Sequence, residues 1–554
     1  MLSIVKKFLL FLAFLIFSFG LGQQKNDSVL NFLNYKTEIK KYEPDFKLKI
    51  KNDSTLYFTL DSLKNTGYYT LELDSVKGNT VFLNKGKMFK KIWVKNDSIF
   101  NHKDEWFSIQ NLDSLIHIVN QKYADKGYPF TEIKITPLGY RNDEAQVRMD
   151  VLLFGARTID GIRLNGYEKL SKGYIKHSLG LKTGKIYNEA ELHKISERMS
   201  YNQFVEEIRP PQTLFNPDST FVYLYTKKVK SNLFDGILGF GNDEKGDFQL
   251  NGNVKIELNN NFNGMEQIRL NWIATPDKSS SLDFSVKVPY LFQSAIGTQT
   301  NLNVYKKDSV FVNTKIEERL FYQITMNSNL GLNLSYENSN FVLDEHPELA
   351  MLYDDFSKSG YGLSYEYTQP SSNRLFEGKS KLFILGKTLK RKISEYDNDL
   401  NDYIYSKSTQ YEVGLEAFQL FRLHPEHYLK TGIEAFGLFG SDDYFSANEL
   451  FRIGGFNSIR GFNEESITAS VYGITSLEYR FLPNENFYIS AFGDYAFIEN
   501  KSADLSQNLF GAGLGFSFLT EFGIFNLSYA VGKQSDTGFD FRNSKIHFGI
   551  LTRF

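Results

Sequence analysis

The sequence predicts a membrane all-β protein, a transmembrane β-barrel of about sixteen strands preceded by small periplasmic α/β domains. Three observations carry this prediction. From residue 232 to residue 554 apolar and polar residues alternate, and no convincing long helix interrupts them. Short and long connections also alternate through this half, as in barrels with short turns at one end and long loops at the other. Finally, the chain begins with a segment typical of an export signal.

The composition fits a strand-rich protein and excludes several other classes. The 554 residues include 50 Phe, 33 Tyr and 3 Trp, and aromatic residues favour strands. The net charge of −2 argues against nucleic-acid binding, which usually needs a basic excess. The sequence contains no Cys, which excludes disulfides, Cys-based metal sites and Cys nucleophiles. A mean hydropathy of −0.34 argues against a helical membrane protein but is compatible with an alternating barrel.

The first 22 residues are predicted to be a signal peptide. Two lysines precede an apolar run at 8–19, whose 12 residues are too few to span a bilayer as a helix. Gly20 and Gly22 supply the small residues of a cleavage site, so the mature chain is expected to begin at Gln23. The alternative is an uncleaved anchor.

Residues 156–230 are predicted to form one small α/β domain with the order β-α-α-β-β. Asn188 begins the second helix, because its spacing to the following Glu fits a capping box. Leu192, Ile195 and Met199 then fall on one face of that helix. Two strands are expected after it, and one strand and a first helix before it.

Two further units are predicted upstream. Residues 87–155 show an apolar helix stripe from Leu112 to Tyr123, and Gly127 ends that helix before a hairpin. Residues 23–86 form a degenerate unit with a helix and strands near 68–74 and 80–83.

These units resemble POTRA domains, periplasmic modules that bind unfolded polypeptide. Asp125 to Pro129 matches the helix-to-strand junction of such a domain. In 156–230 the matching residues are Ile159, Ile162, Leu164, Gly166, Leu170, Ile175, Leu179, Gly184 and Tyr187. The alternative is a generic α/β domain.

Residues 231–554 are predicted to form the barrel. Period-two alternation with one apolar face is clear in 248–259, 281–288, 470–481 and 525–531. A soluble sandwich alternates too, so the connections decide between them. Long connections are expected near 338–358, 391–408, 441–466 and 533–543, with short turns such as 482–485 between them.

A sequence motif lies in the long connection before the twelfth predicted strand. Residues 450–456 precede Ser458-Ile459-Arg460-Gly461-Phe462, and 477–481 and 492–496 follow as strands. This motif, with the order of signal, modules and barrel, resembles the outer-membrane-protein-85 superfamily. That family includes assembly proteins of the BamA and TamA type, also described as bacterial surface antigens, and two-partner-secretion transporters.

The motif also has a physical interpretation as a tether. An Arg inside a barrel must find an anion, because burying an unpaired charge is costly. Alternation turns Glu478 and Asp494 inward, so Arg460 can pair with either. Gly461 permits a sharp turn, and Phe462 is expected to pack inside.

Two more sets of residues are predicted to matter in the barrel. Glycines weaken strands, and those of the first and last strands suggest a lateral seam there: Gly236, Gly239, Gly241 and Gly549. The end of the chain has the spacing of an outer-membrane sorting signal: His547, Gly549 and Phe554.

The resemblance implies a machine of the bacterial outer membrane whose periplasmic domains bind unfolded clients. It would insert or export them through a barrel with a seam between its first and last strands. Expected partners are unfolded outer-membrane or secreted proteins, outer-membrane lipid and accessory periplasmic or lipoprotein subunits, without nucleic acid. We expect no cofactor, no metal and no enzymatic activity, since the common catalytic motifs are missing from the sequence. The alternatives are a dedicated two-partner-type secretion pore, a barrel enzyme and a passive porin.

Overall fold

A computed structural model gives the fold of the chain. It describes residues 46–49, 63, 66–68, 71–77, 80–84, 86, 88–95, 105–108, 112–141, 144–242, 248–274, 279–308, 310–341, 353–371, 373, 375–376, 378–397, 402–441, 445–456, 458–520, 523–535 and 538–552. The predicted signal peptide and Phe554 lie outside these residues. The chain divides into two compact units, 1–117 with 133–151, and 118–132 with 152–554.

The first unit contains two small sheets. The strands of the first sheet, in the order β1-β3-β2, are β1 Phe46–Lys49, β2 Glu72–Lys77 and β3 Thr80–Asn84. Those of the second, in the order β5-β4-β7-β6, are β4 Lys91–Lys95, β5 Glu105–Ser108, β6 Glu132–Arg141 and β7 Glu144–Leu152. Strand β2 lies later than the predicted 68–74, and β1, β4 and β5 were not predicted. Between β5 and β6 the chain forms helix α1, Leu112–Ala124.

The second unit begins with a domain that has the predicted order β-α-α-β-β. Its elements are β8 Gly161–Gly166, α2 Lys172–His177, α3 Glu189–Ser200, β9 Val205–Phe215 and β10 Thr220–Lys228. Strand β10 lies between the other two, parallel to β8 and antiparallel to β9. Asn188 caps α3, since its Oδ1 accepts a hydrogen bond from Glu191 N at 2.9 Å. No helix of the described residues is long and apolar enough to cross a membrane.

The rest of the second unit is an antiparallel sheet of sixteen strands, in which each strand pairs with the next along the chain. The strands are β11 Leu233–Asn242, β12 Phe248–Asn259, β13 Gln267–Ala274, β14 Ser280–Val288, β15 Ile296–Lys307, β16 Phe311–Thr325, β17 Ser328–Phe341, β18 Asp355–Gln369, β19 Ser380–Asp397, β20 Asp402–His424, β21 His427–Gly440, β24 Val471–Asn484, β25 Phe487–Asn500, β26 Leu505–Leu519, β27 Gly523–Gln534 and β28 Lys545–Thr552. This confirms the predicted barrel and its strand number. The motif connection lies between the eleventh and twelfth strands, and it contains a small hairpin of β22 Phe451–Ile453 and β23 Ile467–Ala469.

The barrel strands expose apolar side chains on one face and bury the other. In β17, Leu330, Leu332 and Leu334 are exposed and alternate with small and polar residues. In β25 every second residue from Tyr488 to Ile498 is buried. The apolar face is therefore the outer one, and the buried face surrounds the lumen.

One predicted loop is wrong. The connection expected at 391–408 is strand on both sides, because β19 continues to Asp397 and β20 starts at Asp402, with these two residues paired. The extension is rich in Lys, Arg, Ser and Tyr. Polar strand ends of this kind reach beyond the apolar band, so hydrophobic alternation does not detect them.

Candidate functional site: a loop anchored inside the barrel

The connection between β21 and β24 turns into the barrel and places Arg460 against two carboxylates. Arg460 Nε and Nη2 donate to the two oxygens of Asp494, at 2.8 and 2.7 Å. Its Nη1 donates to Glu478 Oε2 at 2.6 Å, and its backbone N–H donates to Asp494 Oδ2 at 3.1 Å. The Asp494 side chain has no exposed surface, and that of Arg460 is 12 % exposed. This is a bidentate, charge-assisted arrangement in a nearly dry setting.

Strands β24 and β25 position the two acids. They are neighbours in the sheet, and Glu478 lies opposite Phe492, two residues before Asp494. Both carboxylates face the lumen because the strands alternate. Glu478 also accepts a hydrogen bond from Arg480 Nε at 2.7 Å. The Arg460 guanidinium carbon lies 3.5 Å from the centre of the Phe492 ring, in cation–π contact.

The loop backbone lies directly on β26 and β27. Gly461 has a φ of +93°, and a Cβ on it would lie 2.5 Å from Gly532 N. A Cβ on Gly511 would overlap the carbonyl oxygen of Arg460. Only glycine permits this conformation at 461 and this approach at 511. The motif therefore contacts four consecutive strands.

Apolar side chains pack around the loop in the same region. Ile453 and Ile459 are buried in one cluster with Ala496, Ile498 and Leu509, and Phe462 packs against it. The loop is thus held by hydrophobic contacts as well as by Arg460. Phe462 itself is partly buried there.

A polar cavity of about 430 Å³ separates the loop from the barrel wall on another side. Among the side chains around it are Asp283, Lys315, Glu317, Glu337, Glu412 and Arg452. Charged side chains of both signs line it, so it suits water and ions rather than an apolar ligand. In the part of the chain that the structure describes, no cluster of three His, Asp or Glu side chains could hold a metal ion.

The predicted seam glycines lie in the first and last strands. Gly236, Gly239 and Gly241 pair with β12, and Gly549 pairs with Asn526 of β27. Strands β11 and β28 lie near each other over part of their length, but no ladder joins them among the described residues of either strand.

The predicted sorting residues divide between the described and undescribed parts of the chain. His547 lies in β28, and the Phe456 ring of the loop is 6.1 Å from its ring, centre to centre. Gly549 lies two residues further along the same strand. Phe554 lies outside the described residues.

The α/β domain 157–229 docks on two turns of the barrel. Tyr167 donates its hydroxyl hydrogen to Asn263 Oδ1 at 2.8 Å, in the turn between β12 and β13. The hydroxyls of Ser178 and Tyr290 lie 2.5 Å apart, in contact with the turn between β14 and β15. Met265 of the first turn is 4 % exposed and belongs to the hydrophobic core of the domain. The docked turns therefore complete the core of the domain.

A histidine marks the second contact of this interface. His177 Nε2 lies 3.2 Å from the carbonyl oxygen of Gln293. Burial lowers the pKa of His177 below its ordinary value, so the ring is neutral at pH 7. Because a carbonyl can only accept, the hydrogen of the neutral ring must lie on Nε2.

Sequence reasoning missed this interface. Its signal was present in the turns, where Met265 and Tyr290 are large apolar or aromatic residues in connections that should face water. The backbone adds a second signal, since Asn260, Asn263 and Met265 have positive φ, which is uncommon outside glycine.

Comparisons with known proteins give one family model and several solved structures that match this chain. A model of the Omp85 superfamily domain matches residues 250–554. CdiB from Acinetobacter baumannii is similar at 15 % identity and a TM-score of 0.51, over 100 % of this chain and 98 % of that one. A BamA structure from Haemophilus ducreyi lacking POTRA domains 1–3 is similar at 16 % identity and a TM-score of 0.49, over 84 % of this chain and 99 % of that one. Among curated proteins no significant match is found.

Proposed function

Because this chain belongs to the Omp85 superfamily, we propose that it inserts proteins into the bacterial outer membrane or moves them across it. The barrel lies in the outer membrane, and the α/β domains before it lie in the periplasm. Its partners are unfolded outer-membrane or secreted proteins and outer-membrane lipid, and accessory periplasmic or lipoprotein subunits would assist it. The predicted domain boundaries, after residues 86, 155 and 230, are part of this proposal.

The observation that carries the proposal is that the α/β domain docks on turns near the first strands of the barrel. The domain sits on the turns that follow β12 and β14, and these strands are close neighbours of β11 in the sheet. In this proposal a client passes from the domain to the edge of β11. Since no ladder joins β11 to β28 among their described residues, this edge can pair with an incoming strand.

The domain itself would receive a client by strand addition at a sheet edge. Its two edge strands are β8 and β9. Pro210 and Pro211 lie in β9, where the register with β10 shifts. Proline has no N–H to donate, so these two residues make β9 a poor template. Strand β8 is the better receiving edge.

In this proposal the anchored loop stiffens part of the barrel wall. Arg460 fixes the loop to β24 and β25, and its backbone rests on β26 and β27. The wall formed by β24 to β27, which leads up to the last strand β28, is thereby stiffened. Movement of the barrel is then directed to the seam, where fewer bonds oppose it.

Depletion of the protein, followed by quantitative proteomics of the outer membrane and the medium, tests the function. Loss of many barrel proteins is expected for a general insertase. Loss of one secreted protein with all barrels intact would instead identify a dedicated two-partner-type pore. Unchanged levels of every outer-membrane and secreted protein would contradict both and favour a passive porin.

Complementation provides the matched control for that experiment. The depleted strain should recover with the wild-type chain and not with a chain that lacks residues 24–229. Recovery with the truncated chain would show that the α/β domains are not the client receptor.

A further inference from the structure

The loop has a second polar contact site at Glu449, eleven residues before Arg460. Residues 447–449 form one short turn in which Ser446 and Glu449 cap each other. The Glu449 side chain has no exposed surface. Its Oε1 accepts a hydrogen bond from the Ser446 N–H at 2.8 Å. A glutamate this deeply buried needs partners of opposite charge.

Three side chains on three consecutive strands bind Glu449. Lys358 Nζ of β18 lies 2.7 Å from Oε2, and Arg391 Nη2 of β19 lies 3.1 Å from Oε1. Gln410 Nε2 of β20 donates to Oε2 at 3.1 Å. Both cations are themselves buried. The carboxylate is therefore fully hydrogen-bonded by the barrel wall.

The residue before it extends the contact to two more strands. Asn448 Nδ2 donates to Ser339 Oγ of β17 at 2.7 Å. The Asn448 carbonyl oxygen accepts from Asn313 Nδ2 of β16 at 2.5 Å. The turn thus contacts β16 to β20, whereas Arg460 and its neighbours contact β24 to β27.

We propose that Glu449 is a second anchor of the loop between β21 and β24, and that it keeps the loop bound to β18–β20 when the contacts of Arg460 are broken. A loop fixed at both ends crosses the lumen as a strap. Release of Arg460 alone then lets the loop pivot about Glu449, and the lumen stays filled. This inference deepens the proposed function. It rests on that function only for the idea that a filled lumen matters to protein transport.

Ion conductance of the purified full-length chain in planar bilayers tests the two anchors. Arg460→Ala and Glu449→Gln are each expected to give brief openings, because one anchor remains. The double variant is expected to stay open at least about tenfold longer than Arg460→Ala, equivalent to about 1.4 kcal/mol in the barrier to closing. Equal open times for the double variant and Arg460→Ala would overturn the proposal.

Two further variants serve as a control and as a replacement if Glu449→Gln does not fold. Glu337→Gln is the matched control, since Glu337 lines the same cavity from β17 and should leave open times unchanged. If Glu449→Gln does not fold, as judged by heat-modified gel mobility, Glu449→Asp takes its place beside Arg460→Ala. The shorter carboxylate reaches its partners less well, so an intermediate open time is expected. An open time equal to that of Arg460→Ala alone would overturn the proposal.

The conductance result is independent of client transport. A double variant that opens, in a protein whose depletion changes no outer-membrane or secreted protein, would sustain the anchor and reject the transport function. A double variant that stays closed, in a protein whose depletion removes clients, would do the reverse.

Discussion

The wall formed by β24 to β27 and the seam between β11 and β28 are two parts of one sheet with very different support. On the wall, continuous ladders join neighbouring strands, and Arg460 ties the loop to β24 and β25 with four hydrogen bonds. At the seam, no ladder joins the described residues of β11 and β28. Under the proposed function, the anchored loop supports the wall next to the seam from inside the lumen, so that movement is confined to the seam.

The largest effect is expected from a covalent bond across the seam. Because the chain has no Cys, cysteine pairs between β11 and β28, which lie near each other over part of their length, can be scanned over 233–242 and 545–552 without other thiols interfering. A pair that forms a disulfide should abolish client transport under oxidising conditions and restore it on reduction. Transport by the depleted strain carrying each variant is the measurement.

A matched pair on the wall gives the control. Leu514→Cys and Tyr529→Cys lie opposite each other on β26 and β27, so their disulfide joins strands that are already paired. Transport should persist in both redox states. If the seam disulfide were as harmless as this one, the seam would not open.

The next largest effect concerns the Arg460 tether. Arg460→Ala leaves the buried Asp494 without its cation, and breaking such a pair costs about 3–5 kcal/mol. The partial exposure of Arg460 places the expected loss of unfolding free energy near about 3 kcal/mol. Urea unfolding in lipid vesicles measures it. Combined with Asp494→Ala, the loss should be smaller than the sum by about 0.5–3 kcal/mol.

Arg542→Ala is the control for the tether. Arg542 pairs with Asp540 at 3.0 Å, but its side chain is 90 % exposed, so its loss should change the unfolding free energy little. Strictly additive losses at 460 and 494 would show that the two residues do not act as a pair.

A smaller effect is expected from a charge on the outer face of the wall. Tyr529→Lys places an ammonium where the apolar face of β27 meets lipid, at a cost of about 2–4 kcal/mol near the midplane. Asn526→Lys, on the lumen side of the same strand, should cost about 0.5–1.5 kcal/mol through its lost hydrogen bond with Ser517. The same urea titration compares them. Equal losses would contradict the assignment of the two faces.

The smallest effect is expected in the α/β domain, away from both regions. Hydrogen bonds from Lys194 and Arg198 lower the pKa of Glu191 to about 2. A lowered folded pKa stabilises helix α3 above about pH 4.5, and this contribution is lost as the pH falls toward about 2. Because Glu191 is about one-third exposed, its contribution stays below about 1 kcal/mol.

Hydrogen exchange of the full chain measures this contribution. Glu191→Gln should speed exchange of the α3 amides at pH 7 and change them little near pH 2. Glu189→Gln, in the same turn and 4.0 Å from His193, is the control and should have less effect at pH 7. An effect of Glu191→Gln that is the same at both pH values would contradict the ionic origin.

Sequence reasoning recovered the parts of the molecule that repeat. Period-two alternation located the sixteen strands, and it turned Glu478 and Asp494 toward the lumen, where the structure places them beside Arg460. It failed where contacts join distant parts of the chain. Nothing local to Glu449 indicates Lys358 and Arg391, which lie 91 and 58 residues away. The Ser446–Glu449 capping spacing was the only local sign of that turn.

The interface between the α/β domain and the barrel turns was not predicted, for a related reason. Met265 and Tyr290 pack against a domain that ends before them in sequence, and no periodicity links a turn to a distant core. Large apolar residues in short turns were the available signal.

The place of Met265 in the core of domain 157–229 has a consequence for the order of folding. The domain is synthesised and exported before the turn that carries Met265, so its core has a gap until the hairpin of β12 and β13 arrives. A buried gap lowers stability. The domain therefore reaches its final packing only after the hairpin of β12 and β13 forms, so the hydrogen-exchange protection of the domain would report how far assembly of the barrel has gone.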